Sequence, residues 1–91
     1  MSTTKHGNSD SIRDFARELR RFSIEAREGV KRLHYKVEAL GATDWKDQNY
    51  VTYKDQLNES LKLIHRTLES FENEQYQRLL KVAQQYDDVT Y

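Results

Sequence analysis

The chain has no cysteine, no proline and only three glycines, Gly7, Gly29 and Gly41. Without cysteine there is no disulfide framework, no thiolate metal site and no cysteine nucleophile. Turns draw on Gly, Pro, Asn and Asp, so a many-stranded domain is excluded in favour of long uninterrupted elements. Long hydrophobic runs are missing as well. Charges interrupt every apolar stretch, which rules out a membrane-inserted span. Residues 1–10 are polar and lack the apolar core of a secretory signal. Charge of one sign is also missing, because 15 basic residues balance 15 acidic ones. The domain-wide basic excess of a nucleic-acid binder is therefore absent. Only 36% of the residues are hydrophobic, against 33% charged. That share is small for a central core but enough for one stripe on slender helices, which then needs a covering partner.

The residues that are plentiful, Ala, Leu, Glu, Lys, Arg and Gln, are good helix formers. The pattern predicts a disordered tail over 1–10, a helix over 11–40, a bend over 41–46 and a second helix over 47–88. Asp10 or Ser11 is a plausible N-cap for the first helix. Apolar residues then recur at Ile12, Phe15, Leu19, Phe22, Ala26, Val30, Leu33, Val37 and Leu40. Steps of three and four with one doubled four describe a heptad stripe with a stutter. Gly41 suits a left-handed position closing that helix. Thr43 or Asp44 can cap the next one, with Asp47 favourably placed against its dipole. The second stripe runs Tyr50, Tyr53, Leu57, Leu61, Ile64, Leu68 and Phe71, then less cleanly through Leu79, Val82, Ala83, Tyr86 and Val89. Gln75 interrupts it.

A short connection makes the two helices antiparallel neighbours. Up to Gly41 nine basic residues face six acidic ones, and the remainder carries the opposite excess, so the halves attract. The fold expected is an all-α, long antiparallel helical hairpin that dimerises into a four-helix bundle. The seam expected for a homodimer, or for pairing with a related hairpin, comprises Leu19, Phe22, Ala26, Leu33, Leu57, Leu61, Ile64 and Leu68. Ala26 and Gly29 leave little bulk mid-helix, as at a close helix crossing. The longer second helix is expected to overhang the first from about Tyr76 to Tyr91, with no intrachain cover.

Catalysis finds no footing in these residues. Asp87-Asp88 and the pair Glu72 and Glu74 are carboxylates without the pocket that general acid–base work requires. There is no nucleophile arrangement, phosphate-cradling loop or His-Glu-x-x-His motif. His34 with Glu38, and His65 with Glu69, have helical i,i+4 spacing. Metal-binding bundles use Glu-x-x-His, and Lys31 and Lys62 occupy the positions where Glu is needed. No metal and no cofactor is expected. The basic residues Arg13, Arg17, Arg20, Arg21, Arg27 and Lys31 are interleaved with Asp14, Glu18, Glu25 and Glu28, which reads as a solvated face. What remains is binding of a larger protein. Tyr and Trp suit surfaces buried only on association, and this points to Trp45, Tyr76, Tyr86 and Tyr91, with Asp47 beside the Trp.

The run Leu40-Gly41-Ala42-Thr43-Asp44-Trp45-Lys46-Asp47, followed by Tyr50 and Tyr53, resembles the Trp-x-Gly helical-hairpin family of small type VII secretion proteins. The likeness covers the chain in architecture, and in sequence one short motif. It implies a bacterial antiparallel four-helix dimer serving as adaptor, chaperone or cargo of a type VII-like secretion system, leaving the cytoplasm without a cleaved signal. Trp45 is the one position carried over. Asp47 stands where the family has Gly, and the family's C-terminal Tyr-x-x-x-Asp/Glu signal is missing, since Leu80 follows Tyr76 and Thr90 follows Tyr86 at that spacing. The alternative is a non-secreted cytoplasmic coiled-coil scaffold or regulatory subunit.

Overall fold

The fold comes from a computed structural model that describes residues 9–89, the side chain of Val89 excepted. It is an all-α helical hairpin. Helix α1 covers Ser9–Thr43 and α2 covers Gln48–Ser70. A π-helical segment, Phe71–Gln75, leads without a break into α3, Tyr76–Val89. The hairpin measures 66 × 17 × 14 Å. That length matches roughly 42 residues of continuous helix at about 1.5 Å each, so the long axis is set by α2 to α3.

Three rows of residues on α1 organise the hairpin, the first two spaced by sevens. A seven-residue spacing keeps a row nearly parallel to the helix axis. The first row, Ala16, Ser23, Val30 and Val37, faces the returning helix, and Ala16, Ser23 and Val37 are buried. Across from it lie the buried Tyr50, Leu61, Leu68 and Ala83. Ala16, Ser23 and Ala83 are wholly covered, and such small side chains let two helices approach closely. Ser23 satisfies its hydroxyl by donating to the Leu19 carbonyl at 2.8 Å.

The second row is Arg13, Arg20, Arg27 and His34. Each member reaches across to the returning helix. Arg13 donates to Asp87 at 2.5 Å. Arg20 lies 5.1 Å over the ring of Tyr76. Arg27 pairs with Glu72, and His34 Nδ1 lies 3.3 Å from Asn58 Oδ1. Lys54 and Glu38 add a pair at 3.9 Å. Hydrogen bonds from Arg13 and Ser9 hold the Asp87 carboxyl below its ordinary value, and Asp87 raises Arg13 in turn. These contacts fix the antiparallel register along the full length. The solvated reading of the basic residues holds for Arg17, Arg21 and Lys31, whose pairs are local and exposed. It does not hold for Arg13 and Arg27, which are half-buried in cross-helix pairs, while Arg20 is exposed where it lies over Tyr76.

The expected overhang is not observed over the described part of 76–91. α3 packs along α1, with Tyr76 under Arg20, Ala83 buried and Asp87 on Arg13. Two features account for this. α1 is longer than its apolar stripe suggests, starting at Ser9 and ending at Thr43 instead of running from 11 to 40. The π-helical segment also inserts an extra residue into the turn, as such segments do. It absorbs Gln75, so that Tyr76, Ala83 and Asp87 come round to α1 in its place.

Gly41 does not close the first helix. α1 continues through it, and Asp44 and Trp45 both donate backbone N–H groups to the Leu40 carbonyl at 3.0 Å. A side chain at Gly41 would run into the Tyr50 ring. Tyr50 is 6% exposed and donates its hydroxyl to the Val37 carbonyl at 2.7 Å. Gly41→Ala is therefore expected to expel that ring and destabilise the hairpin by about 1–3 kcal/mol, as overpacking does. Urea unfolding of the two proteins measures it, and an unchanged midpoint would show that the ring has another place to go.

Candidate functional site: an aromatic bend and an exposed apolar face

The bend is held by one carboxylate. Asp47, with extended backbone at φ −107° and ψ −178°, is the N-cap of α2. Its Oδ1 accepts the Tyr50 backbone N–H at 3.2 Å and the Trp45 indole N–H at 2.9 Å. The caps expected at Thr43 or Asp44 are not used for α2. Thr43 donates instead to the Ala39 carbonyl and to Asp44. Trp45 lies over Tyr53 with centroids 6.1 Å apart and is tilted against Tyr50 at 5.6 Å. Trp45 is half-buried in this cluster. Asp47 thus has a structural task, binding the Trp45 indole to the start of the second helix.

The third row of α1 is exposed. Phe15, Phe22, Leu33 and Leu40 are 59%, 55%, 52% and 38% accessible. By helical phase they lie to one side of the intrachain row, opposite to the Arg13–His34 row. On the returning helix Tyr53, Ile64 and Tyr86 are 47%, 46% and 44% accessible. In an antiparallel pair their phase brings them to the same side as Phe15 and Leu40. The half-buried Leu57, Phe71 and Leu79 lie between. One broad side of the hairpin is therefore bridged by ions and hydrogen bonds, and the other is apolar and open.

The residues expected in a dimer seam divide between two places. Leu61 and Leu68 are buried within the chain, at 6% and 5% accessible, where the hairpin's own contact occupies them. Phe22, Leu33 and Ile64 are on the open face, and Leu19, Ala26 and Leu57 are half-buried at its edge. Of the expected partner contacts, Tyr86 is exposed, Tyr76 is half-buried beneath Arg20, and Tyr91 lies outside the described residues. Phe15, Leu40 and Tyr53, which belong to the two apolar stripes, lie on the open face as well. Their large size at stripe positions was the available signal. Elsewhere, His34 meets Asn58, and His65 pairs with Glu69 at 3.5 Å. Among the described residues no three His, Asp or Glu side chains converge on one point. No helix among them is long and apolar enough to cross a membrane.

Comparison with protein-family models, with curated proteins and with solved structures gives no match. The bend supplies the test of its own chemistry. Asp47→Ala removes the cap and the indole acceptor together, and is expected to cost about 1–2 kcal/mol. The Trp45 fluorescence of the folded state should shift with it. A variant with unchanged stability and emission would show that Asp47 does not hold the bend.

Proposed function

We propose that this protein is a helical-hairpin interaction module that presents one apolar face to other helices. The observation that carries the reading is the sidedness of the hairpin. Phe15, Phe22, Leu33 and Leu40 of α1 and Tyr53, Ile64 and Tyr86 of the returning helix stay accessible on one side, while cross-helix ion pairs bridge the other, which also carries an open groove beside His34, Tyr35 and Asn58; Ile24, Val51 and Leu63 are exposed outside the face. Isolated exposed hydrophobics are ordinary, but a contiguous patch of this kind marks an association surface. The face is flat and ridged along the helix axes, which suits helices packed lengthwise. Among the described residues the groove lined by His34, Asp55, Asn58, Glu59 and His65 is wide open to solvent, which supports a reading of binding over catalysis.

Within this reading the non-secreted scaffold or regulatory subunit is favoured over an adaptor or cargo of type VII-like export. The indole N–H of Trp45 is bonded to Asp47 and its ring lies on Tyr53, which supports a structural role for the one residue that the export reading carries over. Tyr86 and the face around Leu33 and Ile64 are the better candidates for contact with a larger protein.

A photo-activated crosslinker at position 33, introduced in cells that make the protein, is expected to form protein adducts. The same group at position 20, on the ion-paired side, is expected to form few. Adducts at 20 but none at 33 would sink the proposal, because the wrong side would then be the one that meets protein.

A further inference from the structure

Resting on that reading, we infer that the open face binds a second copy of this chain in a two-fold, antiparallel arrangement, α1 against α1, with the axis at the peptide between Arg27 and Glu28. A two-fold interface is self-complementary: whatever residue i meets, its equivalent meets in return. The open row of α1 has that property built into its spacing. Phe15 and Leu40 are equidistant from the peptide 27–28, and so are Phe22 and Leu33. So are Ala26 and Gly29, the two least bulky residues of the row. An antiparallel partner centred there places the partner's Leu40 on Phe15, the partner's Leu33 on Phe22, and the partner's Gly29 on Ala26. Bulk meets bulk toward the ends, and the backbones approach at the middle.

Gly29 has no such explanation inside the chain. It sits mid-helix, and an added Cβ would meet only the Arg32 guanidinium at 3.5 Å, an ordinary contact. Glycine weakens a helix interior, so its presence is explained by a surface that must come close. The returning helix agrees with this axis at two of the three exposed residues of its face, Ile64 having the half-buried Gln75 as its counterpart. Its exposed Tyr53 and Tyr86 are centred on the peptide between Glu69 and Ser70. That level faces the axis on α1, because Arg27 pairs with Glu72. The partner's Tyr86 then meets Tyr53 while α1 pairs with α1, and one rotation satisfies both helices.

Charge follows the same symmetry. The flank of the open row carries Glu18 and Glu25 on one side of the axis, with Arg21 paired to Glu18, and Arg32 and Lys36 on the other, so the first side keeps an acidic excess of one and the second is basic. Antiparallel pairing sets acids beside the partner's bases, whereas parallel pairing sets like beside like. The area also suffices. Seven side chains that are 38–59% accessible offer roughly 700 Å² per chain, near the ~800 Å² per partner of a standard interface.

The absence of cysteine makes the test clean. Phe22→Cys and Leu33→Cys are prepared as separate single variants, oxidised alone and as a mixture. In the proposed register position 22 is about 16 Å along the axis from the partner's position 22, too far for a disulfide, while it lies against the partner's position 33. Cross-linked dimer is expected in the mixture at least tenfold above either variant alone. The pair Phe15→Cys and Leu40→Cys repeats the test should either first variant fail to fold. Dimers linked from Phe22→Cys alone would overturn the inference in favour of a parallel arrangement. Sedimentation of the unsubstituted chain separates the two levels. A dimer that yields no mixed cross-link in either pair defeats the register and leaves the interaction module standing. A chain that stays monomeric at every concentration, with no adduct at position 33 either, defeats both.

Discussion

The hairpin depends on one constraint, the close antiparallel contact of α1 with a helix that is one segment too long for a simple heptad. Along that contact the chain uses small residues, Ala16, Ser23 and Ala83, where the helices meet, and buries Val37, Tyr50, Leu61 and Leu68 beside them. Such a thin seam covers little apolar area, so the hydrophobic effect alone leaves the register loosely specified. The Arg13, Arg20, Arg27 and His34 row supplies the missing specification. Surface ion pairs are each worth little in stability, but one contact per two turns distinguishes the correct register from its slips. The π-helical segment serves the same end. By inserting a residue at Phe71–Gln75 it keeps α3 on α1 after Gln75 has broken the stripe.

At the bend the same logic takes a different form. Sequence separation there is short, so a single residue can close several bonds. Asp47 caps α2 and holds the Trp45 indole, Tyr50 reaches back to the Val37 carbonyl, and Gly41 leaves room for its ring. The bend is thus a compact knot whose parts are mutually dependent. That dependence bears on function, because an aromatic residue already stacked and bonded within its own chain has less to offer a partner than its exposure alone suggests.

Much of the architecture was legible in the sequence. Two long helices and their antiparallel order followed from the scarcity of breakers and the spacing of apolar residues. What misled was the weighting of size. Phe22, Leu33 and Ile64 of the expected dimer seam are exposed, yet Leu61 and Leu68 of the same seam are buried within the chain. Ala16 and Ser23 are small and lie outside the apolar stripe, yet they are buried. A periodicity argument registers apolar bulk, while a close helix crossing selects against it. Gly41 suits a left-handed turn by residue type, whereas its role is to leave space for the Tyr50 ring. The π-helical insertion has one sign in the sequence, the displaced Gln75, which by spacing alone reads as a local weakening of the stripe. The open face was therefore present in the stripe from the start, merged with the seam that it borders.

The central claim is that the stripe divides into a closed seam and an open face, and denaturation of two variants tests it most directly. Leu61→Asp introduces a charge into the intrachain contact, and Leu33→Asp introduces one onto the open face. At concentrations low enough for single chains, the account predicts that Leu61→Asp loses most of its stability, by about 3 kcal/mol or more, as expected for a buried unpaired charge. It predicts that Leu33→Asp stays within about 0.5 kcal/mol of the original chain, as surface changes do. Equal losses in the two variants would contradict the account, since the stripe would then be a single core.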